Sequence, residues 1–162
     1  MTGRGKTYEQ LRLDHQLCFR LYTASRLVTQ AYEPYFRPLG ITSTQYLVLL
    51  VLWEEDRLPV NDIGKRLYLG INTISPLIRR MERLGLVGRH DSDVDKRQQI
   101  VFLTDKGKAM KRKAAAIPSC MIGKFRDHGV DTDKLLGIVP VLDDFIAGMS
   151  KAGKTPDIDS QG

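Results

Sequence analysis

Cysteine is scarce: the 162 residues hold two, Cys18 and Cys120. No disulfide framework can be built from them, so a reducing, cytoplasmic setting is the default expectation. Long apolar runs are also missing. None approaches the roughly 18–20 residues that cross a bilayer, and no membrane association is expected. Residues 1–6 are rich in glycine, threonine and base and lead into no apolar stretch, so no secretory signal is expected. The three histidines, His15, His90 and His128, share no metal-ligand spacing with one another or with the cysteines. Asp91, Asp93 and Asp95 imitate the opening of a calcium loop. Lys96 stands where its glycine belongs, however, and Phe102 where its closing glutamate belongs. No metal or other cofactor is therefore expected. A glycine-rich phosphate loop and a Ser/His/Asp arrangement are absent as well. An enzyme consuming peroxide through Cys18 is disfavoured, because no Thr-x-x-Cys or Cys-x-x-Cys motif surrounds either thiol.

What is present is an ordinary globular composition, 42% hydrophobic and 27% charged, of a length that suits one domain with a dimerisation appendage. Its 25 basic side chains exceed its 19 acidic ones. The excess is local. Residues 60–112 carry Lys65, Arg66, Arg79, Arg80, Arg83, Arg89, Lys96, Arg97, Lys106, Lys108, Lys111 and Arg112 against six acids, which leaves the rest of the chain neutral. A basic surface of this kind suits a polyanion, most often nucleic acid; a solvated face is the plain alternative.

Over residues 8–36 the pattern is helical. Leu13, Leu17, Leu21, Ala24, Val28, Ala31 and Tyr35 make one stripe expected to be buried, and Cys18, Tyr22, Ser25, Thr29, Tyr32 and Phe36 run beside it. So wide an apolar face calls for a partner subunit. Pro34 and Pro38 with Gly40 are read as its end. Thr42 with Gln45 reads as a capping box ahead of a core helix through Tyr46-Leu47-Val48-Leu49-Leu50-Val51-Leu52-Trp53. After Pro59 come a short helix with Ile63, Leu67 and Tyr68 inward, ending near Gly70, and a second helix over residues 72–84. The second turns Ile74, Leu77, Ile78, Met81 and Leu84 inward, with Pro76 tolerable only near its first turns. Two short helices joined by a tight turn are a helix-turn-helix. Strands at residues 86–90 and 99–103 around a charged loop make a hairpin wing. Thr104 caps a basic helix over residues 105–116, interrupted at Pro118. A last helix over residues 133–149 is kinked or divided at Pro140, and the polar tail beyond Lys151 is expected to fray.

This arrangement can put the second helix into a DNA major groove. Asn72, Thr73 and Ser75 would then meet base edges or phosphates, and Arg79, Arg80 and Arg83 phosphates, with a guanine as the alternative for one of the three. Arg97 on the wing, steadied by Asp95, would reach a minor groove. A three-helix domain with solvated arginines is the alternative.

Leu84-Gly85-Leu86-Val87, then Asp95-Lys96-Arg97 and Leu103-Thr104-Asp105-Lys106-Gly107, resembles the MarR family of winged-helix repressors. Leu13-Asp14-His15-Gln16-Leu17-Cys18-Phe19 is similar to the first helix of its peroxide-sensing OhrR branch. So are Gln45-Tyr46-Leu47-Val48, Leu52-Trp53-Glu54, Leu67-Tyr68-Leu69 and Pro76-Leu77, and the resemblance spans residues 11–118. It implies a mainly α, dimeric winged helix-turn-helix protein with a small β-wing. Residues 1–162 would form one MarR-type domain, with a DNA-reading lobe at 42–104 and dimerisation helices at 8–38 and 105–150. The implied partners are a second copy of the chain, a pseudo-palindromic double-stranded operator, and an organic hydroperoxide that oxidises Cys18 and releases the DNA. Tyr22, one turn from Cys18, and Tyr32 of the partner subunit would donate hydrogen bonds to the sulfur.

The oxidised sulfur then needs a second thiol. Some members of the branch carry one where this chain has Gly123; Cys120 lies one helical turn earlier, so either Cys120 or a small cellular thiol resolves it. Other departures are Gly70-Ile71-Asn72, where the family usually has Asp, Ser and Gly, and Ser43, often Tyr in this branch. Without the resemblance, Cys18 reads first as a small core hydrophobe rather than a sensor. Release by a non-covalent aromatic ligand is the alternative to oxidation.

Overall fold

The computed structural model describes residues 8–151. Residues 1–6 and the tail after Lys151, both singled out above, lie outside the described residues. The chain divides into two compact units, residues 1–46 and 47–162.

In the first unit, two 3-10 turns, Glu9–Leu11 and Leu13–His15, precede helix α1, Leu17–Phe36. The helix expected from residue 8 thus begins only at Leu17. Arg12 and Gln16 are extended, with ψ of 139° and 118°, and side chains take the nearby carbonyls. Gln16 Nε2 donates to the carbonyls of Gln10 (2.7 Å) and Arg12 (3.1 Å), and the Arg20 guanidinium donates to those of Gln16 (3.0 Å) and Asp14. Apolar periodicity is blind to this side-chain competition with the helix ladder. Nor does Pro34 end α1. It sits in the last turn, where its missing N–H costs one ladder bond. The chain leaves through the 3-10 turn Arg37–Leu39 and the left-handed Gly40.

Helix α2, Ser43–Glu54, starts in this unit with the expected capping box: the Thr42 N–H donates to Gln45 Oε1 (2.9 Å) and the Gln45 N–H to Thr42 Oγ1 (3.3 Å).

The second unit holds the rest of α2, strand β1 (Leu58–Pro59), α3 (Val60–Arg66), α4 (Ile71–Arg83), β2 (Val87–Asp91), β3 (Gln99–Leu103), α5 (Asp105–Ala114), α6 (Ile117–Asp127), α7 (Thr132–Gly137) and α8 (Val139–Lys151). Its core gathers Val48, Leu49 and Leu52 of α2, Ile63 of α3, Ile74, Ile78 and Met81 of α4, and Leu86, Val87 and Val101 around the sheet. Each such aliphatic side chain contributes about 1.5–3 kcal/mol on full burial. The sheet is antiparallel in the order β1-β3-β2, with Val87 opposite Leu103 and Asp91 opposite Gln99. Two residues with a proline gave no strand signal for β1. Asp56 holds the end of β3, its Oδ1 accepting from the Leu103 N–H at 2.8 Å. The expected break before α6 and the division ahead of Pro140 are both present.

Two inward assignments are corrected. Tyr68 is exposed and left-handed (φ 55°). It occupies the residue after the α3 cap in a Schellman turn, where the Leu69 N–H reaches the Gly64 carbonyl (2.9 Å) and the Tyr68 N–H that of Lys65 (3.2 Å). That turn swings the ring outward. A non-glycine residue in this conformation costs about 1–2 kcal/mol. Gly64 lets α3 approach α4, since a Cβ there would lie 2.8 Å from the Leu69 carbonyl and 3.3 Å from Ile74. Leu84, the cap residue of α4, is likewise exposed where the helix stops short of it.

The α4 terminus uses glycine instead. Gly85 (φ 70°) donates to the Glu82 carbonyl (2.9 Å) and Leu86 to that of Met81 (3.0 Å). Gly85→Ala is expected to lower stability by about 1 kcal/mol, read from urea unfolding, because alanine disfavours left-handed backbone.

Candidate nucleic-acid interface and sensor cysteine

Two sequence motifs meet in space at the base of the wing. The Thr104 hydroxyl donates to the Gly85 carbonyl (2.6 Å), lies 3.1 Å from that of Leu86, and accepts from the Gly107 N–H (3.1 Å) as the N-cap of α5. The Lys106 ammonium donates to the Leu84 carbonyl (2.7 Å), and the Thr104 N–H to that of Leu86 (3.2 Å). A Cβ on Gly107 would collide with the Leu86 carbonyl. The end of α4, the foot of the hairpin and the start of α5 are therefore one joint.

From this joint α4 presents opposite faces. Ile74, Leu77, Ile78 and Met81 are buried, while Asn72, Arg79 and Arg83 line the opposite ridge, exposed. Thr73 and Arg80 lie exposed on one flank, and Ser75, half-buried, lies on the other with Glu82. Arg79, Arg80 and Arg83 form no ion pair with a described residue. The first turn of α4 has Gly70 at its cap and no side-chain cap, as the Gly70-Ile71-Asn72 departure implies.

On the wing, Asp95 Oδ1 accepts from the Arg97 backbone N–H and from its Nε, both at 3.1 Å. The Arg97 hydrogen bond holds the Asp95 carboxyl below the usual carboxylate range, and the guanidinium stays almost fully exposed. Sequence reasoning missed the link from wing to helix: Arg89 of β2 donates through Nε (3.1 Å) and a terminal nitrogen (2.8 Å) to Glu82 of α4. Seven residues apart across a turn, the pair shows no helical spacing that would reveal it. Its effect is to remove Arg89 from the available positive charge.

Cys18 is the second residue of α1 and is exposed, not buried on its stripe; of α1 only Phe36 is buried. Tyr22, one turn on, is 70% exposed. Tyr32 is half-buried and stacks on Phe36, with ring centres 5.3 Å apart, and 6.3 Å from Tyr46. At 1.5 Å per residue, Tyr32 stands about 21 Å along α1 from Cys18, so one chain does not bring them together. Burial pushes the Tyr32 phenol up from its ordinary value, and burial followed by the neighbouring Tyr32 does the same to Tyr46. Ser43 lines a cavity of about 390 Å³ with Thr29, Gln30, Phe36 and Ile41 among its walls. Cys120 lies exposed on α6, with Gly123 one turn further on. Among the described residues no group of three or more His, Cys, Asp or Glu side chains is placed to hold a metal ion. Nor is any described helix long and apolar enough to cross a membrane.

A helix-turn-helix followed by a hairpin wing, with a cationic ridge on the second helix, defines a winged helix-turn-helix protein. Residues 41–98 match the MarR family. The chain is 41% identical over 128 residues to the organic hydroperoxide resistance transcriptional regulator of Bacillus subtilis strain 168, covering 79% of this chain and 87% of that one. Reduced AbfR bound to DNA, from Staphylococcus epidermidis, is similar with TM-score 0.72 and 40% identity over 88% of this chain and 97% of that one. Disulfide-formed AbfR is similar with TM-score 0.62 and 38% identity, over 86% and 95%. The protein belongs to the MarR family of transcriptional regulators.

The two raised phenols fix a pH dependence. Above the ordinary phenol value near 10 the unfolded chain has lost protons that folded Tyr32 and Tyr46 still hold. Stability therefore declines as pH rises from about 10 through the raised values. Tyr32→Phe with Tyr46→Phe is expected to flatten that alkaline decline in urea unfolding.

Proposed function

We propose that this protein is a homodimeric repressor that holds a pseudo-palindromic operator with α4 and the wing, and releases it when an organic hydroperoxide oxidises Cys18. The observation that carries the reading is the exposed α4 ridge of Asn72, Arg79 and Arg83, with no ion pair to a described residue, beside an Arg97 steadied by Asp95. In the major groove, Asn72, Thr73 and Ser75 meet base edges or phosphates, and Arg79, Arg80 and Arg83 meet phosphates, while Arg97 enters the adjacent minor groove. The DNA-bound form of reduced AbfR supports this half. Residues 42–104 form the DNA-reading lobe, and helices within 8–38 and 105–150 the dimer interface. Exposed Leu17, Leu27 and Val28 of α1 and Val141, Phe145 and Met149 of α8 supply apolar surface for a second copy to cover.

The redox half rests on the relatives' chemistry and on the exposure of Cys18. The thiolate attacks the distal peroxide oxygen; the S–O bond forms as the O–O bond breaks, and the alkoxide leaves as the alcohol after taking a proton. A second thiol, either Cys120 of the partner subunit or a small cellular thiol, then attacks the sulfenic sulfur, forming the disulfide and releasing water. Tyr22 and Tyr32 of the partner subunit donate to the sulfur. Oxidation then biases a two-state dimer toward the form that lets the DNA go. The cavity beside Ser43 favours a second reading, in which an aromatic ligand binds there without reaction.

The test is fluorescence anisotropy of a duplex that the wild-type protein selects from a random-sequence library. Cumene hydroperoxide is expected to release wild type but not Cys18→Ser. Release of Cys120→Ser shows that Cys18 acts without Cys120, and its retention assigns the second step to Cys120. If the peroxide does nothing while an aromatic acid releases all three proteins, oxidation is not the switch and the cavity is.

A further inference from the structure

Left-handed backbone outside glycine occurs at two described positions, Arg57 and Tyr68. The fold accounts for Arg57. Its N–H meets the Asp56 carboxylate at 2.9 Å, and its guanidinium lies 5.7 Å from the centre of the Phe102 ring. The Schellman turn accounts for the backbone of Tyr68, but nothing among the described residues accounts for a tyrosine side chain at that position. Its side chain is 64% exposed and has no hydrogen-bond, ring or ion-pair partner among the described residues. Glycine at this turn would relieve the backbone and expose no ring. A strained conformation that carries an exposed, unpartnered aromatic group points to a ligand outside the chain. Tyr68 also stands three residues before α4 begins, in the turn between the two helices of the motif.

Resting on the DNA-binding reading above, we propose that Tyr68 is an operator-contacting residue whose hydroxyl donates to a backbone phosphate at the rim of the major groove that α4 enters. The turn of a helix-turn-helix lies where the sugar–phosphate backbone runs past the first helix, and a phenol is a neutral donor suited to a phosphate oxygen. The contact sets how deeply and in what register the start of α4, with Asn72 and Thr73, meets the bases. Its chemistry differs from that of the arginines. The phenol carries no charge and displaces no counterion, so it adds affinity without adding salt dependence.

The test uses the full chain and the library-selected duplex, with dissociation constants measured across a salt series and thermal unfolding of each variant. Tyr68→Phe keeps the ring and the turn and removes the hydroxyl. It is expected to weaken binding roughly tenfold at an unchanged salt slope. Tyr68→Gly is expected to raise the unfolding midpoint while weakening binding at least as much, a combination that a purely structural role does not produce. Arg83→Ala is the control, weakening binding with a shallower slope. Tyr68→Phe binding within about twofold of wild type while Arg83→Ala is weakened overturns this proposal and leaves the DNA-binding reading standing. A wild-type protein that selects no duplex overturns both.

Discussion

The Thr104 hydroxyl, 2.6 Å from the Gly85 carbonyl and 3.1 Å from the Gly107 amide, closes the C-terminal end of α4 and opens the first turn of α5 with one side chain. Everything that reads DNA in the proposed account depends on that joint. A recognition helix is useful only if its angle to the wing is constant, because base edges and minor groove are met at the same time. Here the angle is held three ways: by Thr104 and Lys106 on the carbonyls at the end of α4, by Gly107 packed where no side chain fits, and by Arg89 of the wing on Glu82 of the helix. The buried residues of α4 anchor the same helix from its other face. The motifs that mark the family in sequence are largely the parts of this joint, which explains why residues far from any base carry so much of the resemblance.

The first unit has a different character. α1 buries only Phe36, and Leu17, Leu27 and Val28 are left exposed in the single chain. Cys18 and Tyr32 sit about four turns apart on one helix, so a phenol–sulfur contact between these positions is intermolecular or absent. A sensor assembled from two copies couples oxidation to the relation between copies, and that relation sets the spacing of two recognition helices on a palindrome. In the proposed account, the relation between the two copies is what joins the chemistry to the readout.

The sequence revealed features that are local. The capping box at Thr42 and Gln45, the apolar face of α4, the hairpin and the Thr104 cap each follow from residues within a few positions of one another. So does the absence of a side-chain cap at Gly70. What escaped was set by competition or by distance. α1 starts late because Gln16 and Arg20 take carbonyls that the periodicity assigns to a helix. Tyr68 and Leu84 carry apolar rings and chains at helical spacing, yet both stand just past a helix end, where the turn reverses the direction of the side chain. Arg89 with Glu82, and Asp56 with Leu103, are tertiary pairs without a sequence period, and β1 is too short to show one. At the candidate site, the α4 and wing residues were legible because charge and motif coincide there, whereas the exposure of Cys18 was not. A stripe shows which face is apolar but not whether the same chain covers it.

The most direct measurement is amide hydrogen exchange across residues 84–107, comparing the reduced protein with the protein after hydroperoxide has released its DNA. If the reading lobe moves as one body, the amides of Leu86, Thr104 and Gly107 keep their protection while the duplex is lost. If those amides exchange about tenfold faster on oxidation, release works by breaking the joint between α4 and the wing, and the rigid-lobe account is wrong.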